Sequence, residues 1–484
     1  MLFNSLHYAV FFPVVFFVYW IGLKHDYRRQ NLFLLIASYF FYSFWDWRFL
    51  FLLMFSTLLD YFSGLKIANA ESKLNKKVWL VISVGINLGF LGFFKYYNFF
   101  IDSFSALLES FGFQAHYETL AIILPVGISF YTFHGLSYVF DIYNQKITPT
   151  TNWVDYTLFV SFFPLLVAGP IERATHLLPQ IQKPRVFKYD KAVDGLKQLL
   201  WGLLKKVVIA DGCAEYANLI FNNHQDYSGS TLLMGAIFFA FQIYGDFSGY
   251  SDMALGTARM LGFELLQNFR YPYFSRDVAE FWRRWHISLS SWFKDYLYFP
   301  LGGSKGSLAK TVTNTFIIFI VSGFWHGAAL TFIFWGALNA LFIMPSILFK
   351  SNRRNLEIVA KGRSLPTIKE FLSMVGTFLL VTLAWIFFRA ESMNHAFDFI
   401  AGIFTPELFR MPSLSLFSKE IYYILLLLPL FVATEWIGRE YSYAIENLKN
   451  VHWRPLRWFA YFGIAFAILM FMQTSETPFI YFQF

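Results

Sequence analysis

Charge is the first thing this sequence has little of. Only 14% of its 484 residues are Asp, Glu, Lys or Arg, where soluble domains run near one quarter. Cysteine is almost absent. The single Cys213 excludes an intramolecular disulfide and a cysteine-ligated metal cluster. With no Cys-His-Asn context around it, Cys213 is expected to pack inside a helix rather than act as a nucleophile. Also missing are a His-Glu-x-x-His pair, a P-loop and a dinucleotide fingerprint, so nothing points to a zinc hydrolase, a nucleotide triphosphatase or a dehydrogenase. The first twenty residues lack a basic leader and a small-residue cleavage site. They read as a retained first membrane helix rather than a signal peptide. There is no internal repeat and no low-complexity linker.

What is abundant is apolar bulk: 57% hydrophobic residues, 22% aromatic, and 63 Phe. No water-soluble core of this size hides that much apolar surface, so lipid must cover part of it. We therefore expect one polytopic membrane domain over 1–484, an all-α transmembrane bundle. At about 20 apolar residues per crossing, spans fall near 5–23, 31–45, 49–66, 78–97, 120–141, 154–170, 196–221, 230–255, 312–330, 332–349, 371–388, 420–437 and 456–473. That makes about eleven to thirteen crossings, some short or tilted. The formal charge is +8, with basic residues gathered in short loops such as 24–29, 66–77 and 350–363. This is the pattern of cytoplasmic loops beside a membrane. No basic-aromatic platform outside the spans suggests nucleic acid.

The stretch 245–330 breaks the apolar pattern and is the expected catalytic centre. Residues 256–311 interleave eight basic and four acidic residues with many aromatics. They are too polar to span and too aromatic for a free loop, so short amphipathic helices lying in the interface or dipping into the bundle are expected. On one continuous helix, Phe281, Trp285, Ser288 and Trp292 would share a face. His286 lies in this segment after Trp285, and His326 follows Trp325 deep in an apolar run. An ionisable residue at membrane depth is costly and calls for a reason. A neutral histidine bonded to a backbone carbonyl is one; a general base that takes a proton from an attacking alcohol is the other. Gly323 and Gly327, four apart, permit close helix approach. Asp246 and Ser248 suit either an ion or proton path or helix–helix hydrogen bonding, and His134 is a third buried histidine. Gly302-Gly303-Ser304-Lys305-Gly306 fits G-x-S-x-G, but without a flanking strand it reads as a turn.

Longer patterns surround these residues. They are Tyr244-Gly245-Asp246-Phe247-Ser248-Gly249-Tyr250, Asn268-Phe269-Arg270-Tyr271-Pro272-Tyr273, Phe281-Trp282-Arg283-Arg284-Trp285-His286-Ile287-Ser288, Tyr296-Leu297-Tyr298-Phe299-Pro300-Leu301-Gly302-Gly303 and Gly323-Phe324-Trp325-His326-Gly327. On them, and on Pro125-Val126-Gly127-Ile128-Ser129-Phe130 upstream, the chain resembles the membrane-bound O-acyltransferase family. It is most similar to the bacterial alginate O-acetyltransferase membrane-subunit branch. The resemblance implies short helices around a central tunnel, His326 as catalytic base or acyl relay, and His286 assisting. Arg283, Arg284, Trp285, Trp325, Asp246, Ser248 and His134 become candidate substrate or tunnel residues, although the branch pattern has glutamine where His134 stands. Also implied are no metal and no bound cofactor, with acetyl-CoA as the acyl donor and a polysaccharide as acceptor. An extracytoplasmic acetyltransferase would be the partner protein, and the bacterial inner membrane the location. A D-alanyl transferase acting on teichoic acid from a carrier protein, and a proton-coupled transporter or flippase with no acyl chemistry, remain alternatives.

Overall fold

Helices follow one another from Leu6 to Phe471 in the computed structural model, and no strand occurs among the described residues. These are 1–24, 26–113, 120–414, 417–472 and 479–480. Among the described residues, eight helices are long and apolar enough to cross a membrane: Arg48–Asn69, Lys73–Ser110, Gly229–Met260, Leu308–His326, Leu330–Leu348, Ile368–Arg389, Ile421–Gly438 and Arg454–Phe471. Leu6–Gly22 is a shorter apolar helix. The protein is a multi-pass membrane protein.

Thirteen stretches looked capable of spanning, and the difference from eight has local causes. The expected span 154–170 breaks into Trp153–Ser161 and Phe163–Leu166 around Phe162, whose backbone (φ -56, ψ 113) is not helical. Every residue of both pieces from Asp155 onward is buried, so protein rather than lipid surrounds the break. The expected span 120–141 is helical only from Ile128. Gly127 stands before it at φ 74, and a Cβ there would strike the carbonyl oxygen of Leu166. A left-handed turn with no room for a side chain admits glycine alone. The region 196–221 is continuous but passes through a π-helical stretch, Leu204–Ala210, carrying Lys205 and Lys206. Tyr27–Asp46 is long enough but opens with Arg28-Arg29-Gln30-Asn31.

The chain forms two compact units, one of residues 1–192 and 258–266, the other of 193–257 and 267–484. In the first, Arg48–Asn69, Lys73–Leu91 and Ile128–Tyr143 pack together. The Asp60 carboxylate is buried there and accepts from Ser83 Oγ (2.6 Å) and Asn87 Nδ2 (2.8 Å). Bonds of this kind between apolar helices supply the affinity that lipid-like packing alone does not.

The second unit contains the stretch expected to be catalytic. We label its helices α1 (Gly229–Met260, whose last turn belongs to the first unit), α2 (Val278–Arg284), α3 (Ile287–Phe293), α4 (Leu308–His326), α5 (Leu330–Leu348), α6 (Ile368–Arg389) and α7 (Ile421–Gly438). Of the eight long apolar helices, α1 is the most enclosed: 83% of its apolar window is buried, against 6–50% for the others. α4 and α5 form an antiparallel pair. A Cβ on Gly323 would meet the backbone of Phe332, and one on Gly336 that of Phe319, so the two backbones touch through their glycines. Of the aromatic C-terminal tail, only Phe479 and Ile480 are described. Both are buried, and the Ile480 N–H donates to Asp246 Oδ2 (2.6 Å).

Candidate functional site

His286 is set by a break in the helix rather than by a helix face. The expected single helix through 281–292 is two, α2 and α3, separated by an extended Trp285 and by His286 at φ 42, ψ 54. A left-handed histidine is uncommon and costs energy, so its surroundings must hold it. Two backbone bonds do so: Arg270 N–H donates to Arg284 O and Ile287 N–H to Asn268 O, both 2.9 Å. The kink then carries the ring away from α2. Phe281, Trp285, Ser288 and Trp292 are all buried even though no single face carries them.

Asn268 fixes the ring's chemistry. Its Oδ1 receives Ser288 Oγ (2.8 Å) and the Ser288 backbone N–H (3.4 Å), and lies 3.0 Å from His286 Nδ1. A backbone N–H can only donate, so that Asn268 atom is the oxygen, and its Nδ2 donates to Ser251 Oγ (3.2 Å). His286 Nδ1 therefore carries the hydrogen. In the neutral ring, Nε2 keeps the lone pair. Phe247, from the Gly245–Tyr250 motif, meets the imidazole edge-on with centroids 4.6 Å apart.

His326 is the last residue of α4, followed by Gly327, where a Cβ would collide with the Phe332 ring. Its imidazole is buried against Trp335 (5.3 Å) and Phe388 (5.5 Å). Trp335 in turn packs on Trp385, and Trp385 on Trp285, the neighbour of His286. A run of tryptophans thus joins the two histidine segments. Both histidines line one cavity of about 260 Å³, with Trp282, Phe293 and Phe319 as apolar wall and Ser290, Lys294, Tyr298, Thr315 and Ser322 as polar groups. An open space with two imidazoles and a thin set of hydroxyls suits proton removal from an alcohol in a dry setting.

The membrane-bound O-acyltransferase family model matches residues 144–386, which contain both histidines and every residue that lines the cavity. The chain belongs to that family. A probable alginate O-acetylase of Pseudomonas aeruginosa is 40% identical over 403 residues, covering 83% of this chain and 74% of that protein. A peptidoglycan O-acetyltransferase of Helicobacter pylori is 36% identical over 434 residues, 83% and 80% of the two chains. A teichoic acid D-alanyltransferase of Bacillus subtilis is 27% identical over 293 residues, 58% and 73%. The protein is a membrane O-acyltransferase.

The other candidates of this acyltransferase fall elsewhere. Arg283 donates to Asn352 O (2.6 Å) and Asn355 O (2.8 Å). Arg284 is paired with the buried Glu280 (2.7 Å). Neither lines the histidine cavity, and both tie α2 to the chain's own oxygens. Trp285 is a buried spacer, and Trp325 is half-buried outside the cavity lining. Asp246 pairs with Lys206 (2.8 Å), and Ser248 accepts from Lys205 Nζ (3.2 Å). His134 lies in the first unit, fully buried, where its Nε2 accepts the Glu172 N–H (3.1 Å). Sequence reasoning missed Asn268 as the partner of His286, although Asn268 opens one of the quoted motifs. It also missed Lys294 at the cavity and the lysine pair 205–206, whose signal in the sequence is two charges inside the expected span 196–221.

Proposed function

We propose that this acyltransferase moves an acetyl group from cytoplasmic acetyl-CoA toward hydroxyls of an extracytoplasmic polysaccharide, from the bacterial inner membrane. An acetyltransferase partner outside would complete the delivery. The observation that carries this reading is the single cavity shared by His286 and His326. Its 260 Å³ lies below the roughly 300–1,000 Å³ of pockets for drug-sized ligands, which favours a short acyl group. The relatives that cover 83% of the chain at 36–40% identity are named O-acetylases or O-acetyltransferases, whereas those named D-alanyltransferases reach 25–27% over 56–58%.

In this scheme His326 accepts the proton of the attacking hydroxyl as its oxygen bonds to the acyl carbon. The carbon–sulfur bond breaks and the thiolate leaves, taking a proton in turn. His286, its Nδ1 hydrogen committed to Asn268, lines the same space with a lone pair left on Nε2. There it orients the acceptor by receiving its hydroxyl hydrogen bond. Exclusion of water from this space once it is filled would protect the activated acyl group from hydrolysis.

The test is transfer of radiolabelled acetyl from acetyl-CoA in proteoliposomes holding the purified chain, with and without an extracytoplasmic partner. Label reaching a hydroxyl acceptor is expected. Label delivered only from an aminoacylated carrier protein would replace acetyl by D-alanyl, and no transfer from either donor would remove the proposed reaction.

A further inference from the structure

The first unit contains a basic cleft that shares no lining residue with the histidine cavity. It opens between the segment Lys183–Lys191 and the turn Arg259–Glu264, with Trp20 in its wall and a volume of about 480 Å³. Five cations line it (Lys183, Arg185, Lys188, Lys191 and Arg259) against one carboxylate, Glu264. Glu264 already pairs with Lys191 (2.6 Å) and Arg259 (3.4 Å), and Arg185 is spent on Asn31 Oδ1 and the carbonyls of Tyr27 and Ile181. The side chains of Lys183 and Lys188 have no hydrogen bond or ion pair among the described residues.

The cleft is built rather than incidental. Gln180 is clasped to Glu264 by two bonds of 2.9 Å, Nε2 to Glu264 O and Glu264 N–H to Oε1. Trp20 Nε1 donates to Met260 O (3.0 Å), and Gly262, at φ 87, turns the chain against the Trp20 ring. Its rim is apolar and uncovered: Val186 is 74% exposed and Tyr189 72%. Phe187 packs on Phe16 and Trp20 at the end of Leu6–Gly22, a helix that leaves Val14, Phe17 and Ile21 outward. Lysines beside exposed aromatic and aliphatic side chains, at the end of a lipid-facing helix, mark headgroup depth. Such a place attracts anionic lipid at about 1 kcal/mol per basic residue.

We propose that this cleft holds the phosphate headgroup of an anionic phospholipid, with its acyl chains along the outward face of Leu6–Gly22. The full chain in phosphatidylcholine nanodiscs, with and without phosphatidylglycerol, tests it by native mass spectrometry of retained lipid. Wild-type protein retains phosphatidylglycerol in preference to phosphatidylcholine. Lys183→Gln/Lys188→Gln lowers that preference by roughly 30-fold, while Lys361→Gln/Lys369→Gln, equal in charge change and also exposed, leaves it intact. Photoreactive phosphatidylglycerol on the wild type labels residues 183–191, a readout that needs no variant. No preference in the wild type, an equal loss in the control pair, or labelling elsewhere overturns the site. Displacement of the lipid by adenosine 3′,5′-bisphosphate also overturns it, because the cleft then belongs to a soluble nucleotide. None of these readouts involves acyl transfer, so each leaves the proposed reaction standing.

Discussion

Two buried regions of the second unit share Asn268, and they are built in opposite ways. On one side a packed charge network surrounds space for about a single water. Lys205 pairs with Asp252 (2.7 Å) and Glu435 (3.7 Å), and Lys206 with Asp211 (2.7 Å) and Asp246 (2.8 Å). Tyr244 donates to Glu435 (2.7 Å) and Gln198 to Asp252 (2.8 Å). On the other side, two imidazoles face about 260 Å³ walled by aromatic and aliphatic side chains with a few hydroxyls and Lys294. The first region spends its polar groups on one another; the second leaves room for something to arrive. Membrane depth makes any ionisable residue conspicuous, but space beside it, rather than depth alone, separates a chemical role from a structural one.

The largest effect should come from the open region. His326→Ala should lower acetyl transfer by about 10²–10⁴-fold, the usual worth of a positioned base, with an unchanged melting profile and α-helical circular dichroism. Undiminished transfer would take His326 out of the reaction. The saturated region should answer in the other currency. Lys206→Met strands two buried carboxylates, and breaking a buried pair from one side costs about 3–5 kcal/mol. Unfolding in mixed micelles should show that loss, while protein that stays folded keeps its transfer rate. A transfer defect in stable Lys206→Met protein would erase the distinction between the regions.

Much of this was legible before any coordinates. Apolar excess demanded lipid, and the paired Trp-His motifs pointed to the segments that do meet at one cavity. Less legible was whatever depends on backbone detail. The helix periodicity of 278–293 hides the left-handed His286, because α2 and α3 are each regular and only the clasp from 268–270 shows the break. Arg283 and Arg284 looked available as charges, and only the fold reveals the carbonyls and Glu280 that occupy them. Helices are shorter than the expected spans where buried polar residues or a forced glycine turn interrupt an apolar run. Asn268 is the residue on which the two regions hinge, and it gives the next prediction. Asn268→Leu keeps the branched skeleton, at some cost in bulk, but removes the acceptor of His286 Nδ1 and Ser288. Leaving those donors unmet costs about 1–3 kcal/mol. Transfer should fall roughly tenfold or more through kcat, and Asn268→Asp, which keeps an acceptor, should recover part of it. Equal kcat in wild type and Asn268→Leu would show that His286 needs no fixed tautomer.

The smallest effect lies in the first unit, outside the spans, and asks whether a histidine there can be purely structural. His176 Nδ1 sits 2.8 Å from the buried Glu172 carboxylate, and that hydrogen bond raises the imidazole above its ordinary value against the opposing pull of burial. Raised folded-state affinity for a proton stabilises the fold in full below the unfolded value of about 6.5. That contribution is lost as pH climbs through the higher folded value. The gap in melting temperature between wild type and His176→Gln should therefore be widest in mild acid and close at alkaline pH. Because the His176 side chain is 37% exposed, solvent screening keeps the gap small. Acetyl transfer should track the melting curve and nothing more, whereas the two cavity histidines should alter transfer with the melting curve unmoved. A gap that widens toward alkaline pH would mean that the Glu172 contact does not favour the charged ring.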